Sequence, residues 1–248
     1  MILVLSGEGP TDIGTRKPKE TGWEFAPGPM AWIVDKLLER PAKLKYSVLA
    51  LHADGGDCVC LLGEMDLAAL RGPKPLLLPR GTDEAGSQYF RKGAYLLGKR
   101  AKVIATERSS PVIAVFFRDA DGTNSTPKAE WQKKFDSMRS GFEAAEFSSG
   151  VPMVPRPKSE AWMLCGLLKH EDATRDCSGL EDEPGNDSSP RSLKSQLARH
   201  LKCEPTAEQQ ADLIRSGHID PETIDLPSFI KFRQELDRAY ANAALPIQ

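Results

Sequence analysis

Apolar positions along the chain fall into short continuous runs, separated by stretches in which they recur at helical period. Residues 2–5 (Ile-Leu-Val-Leu) form the first run and predict a buried strand. After Pro29, a favourable first helical residue, Met30, Ile33, Val34, Leu37 and Leu38 mark a helix that Pro41 ends. Residues 46–51 (Tyr-Ser-Val-Leu-Ala-Leu) read as a second buried strand. From His52 to Gly86 the pattern is irregular and rich in Gly and Pro, with a short strand expected at 75–78. Phe90, Ala94, Leu97, Ala101 and Ile104 share one face of a second helix, and Val112 to Phe117 is the strongest strand. Trp131, Phe135, Met138 and Phe142 stripe a third helix; Val151 to Val154 is a fourth strand, leading into a helix from about Ser159 to Lys169.

Strands that alternate with helices predict an α/β fold: a mostly parallel four-stranded sheet with right-handed crossovers and helices on both faces. Residues 171–190 break the alternation. They hold seven acids against Arg175 alone, together with Gly179, Pro184, Gly185 and Pro190, and read as an acidic linker. Beyond it, Leu193/Leu197/Leu201, Ala207/Ala211/Ile214 and Phe229/Phe232/Leu236/Tyr240 each mark a helix. The expected organisation is therefore an α/β domain over 1–170, the linker at 171–190 and a small all-helical appendage over 191–248.

Composition changes this picture in three places. The chain has 248 residues and a formal net charge of −2, but the linker alone carries −6, so the other 228 residues are left at +4 and phosphate binding stays open. Five cysteines, an odd number at scattered positions, fit reduced thiols better than a disulfide framework. His52, Cys58 and Cys60, or His200 and Cys203, lack the paired spacing of a strong zinc motif. The longest apolar stretches fall far short of the roughly 18 residues a bilayer needs, and Met1 to Leu5 has no basic flank, so neither a membrane span nor a signal peptide is expected. The expected compartment is the cytoplasm.

In an open parallel sheet, ligands gather at the carboxyl ends of the strands. The first strand runs into Ser6-Gly7-Glu8-Gly9-Pro10-Thr11-Asp12, the strongest into Arg118-Asp119-Ala120-Asp121-Gly122, and the last into Pro155-Arg156-Pro157-Lys158-Ser159-Glu160. Glu8, Asp119 and Asp121 thus fall on one rim, which Asp12, Lys158 and Glu160 could join. Clustered carboxylates repel one another unless a cation sits among them. Oxygen ligands on irregular turns suit Mg²⁺ or Mn²⁺. Taken singly, each acid has a plainer role: a turn at Asp121-Gly122, a solvated loop at Glu8, a helix cap at Asp12 or Ser159.

An early strand closing on Glu8-Gly9-x-x-Asp12, followed a hundred residues later by an apolar strand ending in Asp119-x-Asp121, resembles the Toprim domain of topoisomerases, primases, small ribosomal-RNA maturases and nucleases of the overcoming-lysogenization-defect class. The continuation Pro155-x-Pro157-x-Ser159-Glu160-Ala161-Trp162 is similar to a bacterial group of Toprim proteins, some linked to antiviral defence and to an ATPase partner. The resemblance implies that Glu8 is a metal ligand or general acid-base, that Asp119 and Asp121 are the metal-binding pair, and that Asp12 is a further acidic ligand. It implies that Lys158 lies beside the metals; Glu160 is the weakest of the metal candidates. Phosphodiester hydrolysis of DNA or RNA follows, with Lys158 or Arg156 neutralising charge on the phosphorane. The loop from Thr15 to Pro29, with Arg16, Lys17, Lys19, Trp23 and Phe25, is a candidate phosphate- and base-contacting segment.

Two other readings use the same residues. Asp119-Ala120-Asp121-Gly122-Thr123 is similar to the nucleophile motif of haloacid-dehalogenase-type phosphatases, which would leave Glu8 and Asp12 without a task. The other is a non-catalytic Toprim-like subunit that docks on an ATPase; the chain has no Gly-x-x-x-x-Gly-Lys-[Ser/Thr] motif, so ATP hydrolysis would be the partner's. Oligomeric state, including a homo-oligomer, is open at this level.

Overall fold

A computed structural model describes residues 1–9, 11–19, 22–71, 87–120 and 127–244. Its core is a four-stranded, all-parallel sheet. Strand β1 (Ile2–Gly7) lies at the centre between β4 (Val59–Leu61) and β5 (Val112–Phe117), and β6 (Gly150–Met153) pairs with the far side of β5. The register sets Gly7 opposite Phe117 and Phe117 opposite Met153, so three strands end together on one rim.

Alternation along the strands sorts the helices into two layers. Ile2, Val4, Ala114 and Phe116 point to a layer formed by α4 (Gln88–Arg108) and α5 (Lys128–Ala144), where Phe90, Leu97, Trp131 and Phe135 are buried. Leu3, Leu5, Ile113, Val115, Phe117, Val151 and Met153 point the other way, onto α1 (Pro29–Leu38) and α6 (Ser159–Glu171). The same face takes α7 (Leu193–Leu201), α8 (Ala207–Arg215) and α9 (Pro227–Ala243). Trp162 of α6 is fully buried, stacked on Phe232 and edge-on to Phe229, with its Nε1–H donating to Ser228 Oγ at 2.8 Å. The helices beyond residue 190 therefore complete the core on this side of the sheet.

Four expectations change. Residues 46–51 enter a helix, α2 (Val48–Ala53), instead of a strand. The Asp35 carboxylate accepts from the backbone N–H of Val48 and Leu49, and Ser47 accepts from Ala50 N–H, so the first turn is capped twice. The place in the sheet expected for that strand is taken by β4, three apolar residues (Val59, Cys60, Leu61) too short to carry a periodic signal. The Thr15–Pro29 loop is an antiparallel hairpin, β2 (Gly14–Lys19) with β3 (Gly22–Pro27); the sequence Gly-Thr-Arg-Lys-Pro-Lys has no apolar alternation because this two-stranded ribbon packs little of β2. The acidic segment carries a 3-10 turn, Ser178–Asp182, whose Glu181 is buried, accepts from Ser228 N–H at 2.7 Å and faces Arg156. A buried cation and the start of α9 hold acids that average composition assigns to solvent. The strand expected at 75–78 lies outside the described residues.

Among the described residues, no helix is long and apolar enough to cross a membrane.

Candidate functional site

The rim where β1, β5 and β6 end gathers most of the expected side chains. Glu8 leaves β1 directly after Gly7. Its Oε1 accepts from the Asp119 backbone N–H at 2.6 Å, and its Oε2 from Arg118 Nη2 at 2.8 Å. Residues 110 apart in sequence thereby meet. The local cause is sheet geometry: Arg118 N–H bonds Met153 O and Ala120 N–H bonds Pro155 O, which extends the β5–β6 pairing past the strands and leaves the Asp119 N–H between them turned toward β1.

Asp119 Oδ1 accepts from the Ser159 N–H at 2.9 Å, the first turn of α6, where free backbone donors favour an anion. Ser159 Oγ donates to Asp12 Oδ1 at 2.9 Å, so one serine ties two acids to one helix end. Asp12 is placed by a close backbone crossing. Met30 N–H bonds Asp12 O, and Gly28 packs so tightly that a Cβ there would lie 2.3 Å from that carbonyl oxygen. Gly14, at φ +121°, makes the turn into the hairpin that a side chain would strain.

Glu160 follows Ser159, and its Oε2 is buried without a hydrogen-bond partner. Such an atom is costly to leave unpaired, and each site that does so calls for an explanation. Lys158 binds Asp187 at 2.8 Å and lies near Glu160 and Asp119. Burial opposes its charge, but Asp187, Glu160 and Asp119 outweigh that and raise its pKa.

The acids perturb one another. Burial, then repulsion from Glu160, Asp12 and Glu8, raises the Asp119 pKa well above the usual carboxylate range. Burial also raises Asp12, against the Ser159 hydrogen bond, and raises Glu160, with Asp12 adding to it. Among the described residues, no three of these carboxylates bring an oxygen each within 4.8 Å of one another. The cup is wider than the bare first shell of one small cation. A cation at this rim would therefore have to keep waters between itself and some of the carboxylates.

Asp121 lies outside the described residues. Of the nucleic-acid candidates, Lys17 is exposed on the hairpin; Lys19 pairs with Glu24 and Arg16 with Asp66 and the Leu61 carbonyl. Arg156 is not at the rim surface: it is buried, with Nη2 on Asp182 and Nε facing Glu181. It holds the acidic segment against the sheet. The zinc pairs considered from sequence, His52/Cys58/Cys60 and His200/Cys203, do not form a ligand cluster among the described residues.

No family model, curated protein or solved structure matches the chain.

Sequence reasoning missed Arg118 as a participant. It joins Glu8 to Glu64, at 2.8 and 3.0 Å, and its guanidinium lies 4.0 Å over the Tyr89 ring. Tyr89 Oη in turn donates to Glu64 at 2.9 Å. A signal existed in the unusual cation immediately before Asp119, but its partners come from α3 (Glu64–Ala69) and α4, which periodicity does not connect to the rim.

Proposed function

We propose that this chain is a Toprim-type, metal-dependent nuclease that hydrolyses phosphodiester bonds of DNA or RNA at the β1/β5/β6 rim. The observation that carries the reading is the meeting of Glu8 with Asp119 inside a cluster that also draws in Asp12 and Glu160. The donor set is all oxygen, and the unpartnered buried Glu160 oxygen fits a cation-binding cup better than a structural network, whose members would satisfy one another. Asp119, Glu8, Asp12 and Glu160 would hold Mg²⁺ or Mn²⁺, with Asp121 as the further ligand the resemblance implies. When bound, such an ion polarises a scissile phosphate and lowers the pKa of an attacking water.

The chain's own groups supply the rest. Ser159 fixes Asp119 and Asp12 through its N–H and Oγ, which orients both carboxylates before any substrate arrives. Lys158, kept cationic by its acidic neighbours, sits where it can offset negative charge on a phosphate. Arg118 holds the Glu8 carboxylate and can neutralise it when the cup is empty. Lys17 and Lys19 on the hairpin would contact the nucleic-acid backbone. A cytoplasmic setting and control by an ATPase partner belong to this reading.

The test is cleavage of labelled single- and double-stranded DNA and RNA with Mg²⁺ or Mn²⁺. The proposal expects Glu8→Ala and Asp119→Ala each to abolish cutting. Activity that depends on Asp119 but survives Glu8→Ala, on small phosphomonoesters, would instead indicate phosphatase chemistry. No turnover by the chain, alone or with its ATPase, would indicate a binding subunit.

A further inference from the structure

The acidic segment reaches the rim, and both of its ends are fixed. On one side the buried Arg156 holds Asp182 at 2.8 Å and faces the buried Glu181, which accepts from Ser228 N–H. On the other side the buried Ser192 caps α7 by accepting from Ser195 N–H. Residues 183–191 span the gap. Asn186 and Ser188 close a local turn there, and Asp187 reaches out of it to the rim, with Oδ1 2.8 Å from Lys158 Nζ. Asp187 also stands close enough to Glu160 for its charge to act on that carboxylate. On the reading that nucleic acid occupies this rim, we propose that the acidic segment is its internal competitor, with Asp187 on Lys158 in the place of a substrate phosphate.

Three features support the assignment. The first is the position of the lysine. Lys158 is the N-cap residue of α6, at the positive end of the helix dipole, where a cation is disfavoured unless an anion joins it. The second is the asymmetry of the pair. The Lys158 side chain is 16% exposed and that of Asp187 54%, so the lysine belongs to the body and the aspartate is the member that can depart into solvent. A lysine ammonium is a point charge with rotatable donors, which accepts a carboxylate or a phosphate oxygen alike. The third is the field. Residues 171–190 carry a net charge of −6, so the seated segment both neutralises Lys158 and repels an approaching polyanion.

The hold is weak by construction. A half-exposed ion pair contributes little and is screened by salt, so a polyanion that makes several contacts at once displaces it. The segment therefore raises the affinity threshold at the rim without closing it.

The experiment measures binding of fluorescein-labelled single- and double-stranded DNA and RNA to the full-length protein by anisotropy, with Ca²⁺ in place of Mg²⁺ to hold off cutting. Asp187→Asn, at a half-exposed side chain, should tighten binding about two- to fivefold while its melting temperature stays near wild type. In a Lys158→Met background the same substitution should change nothing. Glu171→Gln removes an equal charge from the segment at the far end of α6, about 18 Å along the helix. That exceeds the Debye length of about 10 Å at 0.1 M salt, so its effect should be smaller than that of Asp187→Asn. Binding that Asp187→Asn leaves unchanged or weakens, a gain that persists without Lys158, or an equal gain from Glu171→Gln overturns the proposal. So does failure of wild type and Asp187→Asn alike to bind any of the four nucleic acids. Cutting is read separately with Mg²⁺. Tighter binding by Asp187→Asn with no cutting would end the nuclease reading and keep the competitor; cutting that depends on Glu8 and Asp119, with no effect of Asp187→Asn on binding, would do the reverse.

Discussion

Asp119→Asn separates an acid cluster built for a cation from one that merely packs, because the two cases differ in sign. The substitution keeps the carbonyl oxygen that accepts from Ser159 N–H at 2.9 Å and leaves the Asp119 backbone N–H on Glu8, so shape and hydrogen bonds persist while one charge goes. Burial penalises that charge most, and Glu160, Asp12 and Glu8 all repel it. At an effective dielectric constant near 20, removal of one like charge from such a group is worth about 1–2 kcal/mol. For a chain of this size that corresponds to a rise of about 2–8 °C in the melting temperature of the metal-free protein where Asp119 is ionised. The pH dependence follows from the direction of the shift. A carboxylate whose folded pKa is raised binds its proton more tightly in the native state, so the folded protein loses stability as pH rises from the ordinary value of 3.8 through the raised one. The penalty is complete above the raised value, so the advantage of Asp119→Asn should grow as the pH rises and close as the pH falls. Mg²⁺ inverts the order. Wild type should gain about 2.7 kcal/mol at a hundredfold excess over its dissociation constant, and the variant little. Thermal melts with and without Mg²⁺, between pH 4 and 8, read both effects. An Asn variant less stable than wild type without metal where Asp119 is ionised, or one that gains as much from Mg²⁺, would refute the reasoning.

Other consequences follow from particular contacts. Trp162→Ala empties a fully buried site between Phe229 and Phe232 and strands Ser228 Oγ, with an expected loss of about 3–5 kcal/mol in denaturant unfolding. Gly93→Ala in α4 would put a Cβ 2.4 Å from Phe116 Cζ, and over-packing should cost about 1–3 kcal/mol despite the better helix propensity of alanine. Lys17→Glu with Lys19→Glu should weaken nucleic-acid binding and flatten its logarithmic salt dependence by nearly two units, if each lysine contacts one phosphate. Arg156→Ala should leave that salt dependence unchanged and instead destabilise the fold by about 3 kcal/mol, because Glu181 loses its cation inside the core; an unchanged melt would show that the pair is dispensable.

The elements that periodicity located are those with a full buried face. β1, β5 and the helices α1, α4, α5, α6 and α9 each carry four or more apolar residues at their own period, and each forms where the pattern places it. Failures fall where local chemistry outweighs pattern. Tyr46 to Leu51 has the composition of a buried strand, yet Asp35, twelve or more residues earlier, supplies the acceptors that start a helix there. No window of sequence contains that interaction. The β2–β3 hairpin fails for the opposite reason: it forms from main-chain pairing and tight crossings at Gly14 and Gly28, with few apolar residues to announce it.

The site divides the same way. That Glu8 and Asp119 share a rim follows from a rule about strand ends in parallel sheets, and that rule needs only strand order and direction. What the rule leaves out is the wiring between side chains. Arg118 reads as an odd flank until Glu8, Glu64 and Tyr89 converge on it, and Ser159 reads as an ordinary helix start until its two donors reach Asp119 and Asp12. Arg156, three residues past the end of β6 and cationic, looks identical to a phosphate ligand in sequence; its burial against Glu181 and Asp182 gives it a different task. Charge alone therefore does not sort the rim's cations. What distinguishes Lys158 from Arg156 is which acids lie opposite: Lys158 binds Asp187 of the acidic segment but is also acted on by Glu160 and Asp119 of the cup, whereas the partners of Arg156 are Glu181 and Asp182, so it is the first that would respond when a cation or a phosphate enters.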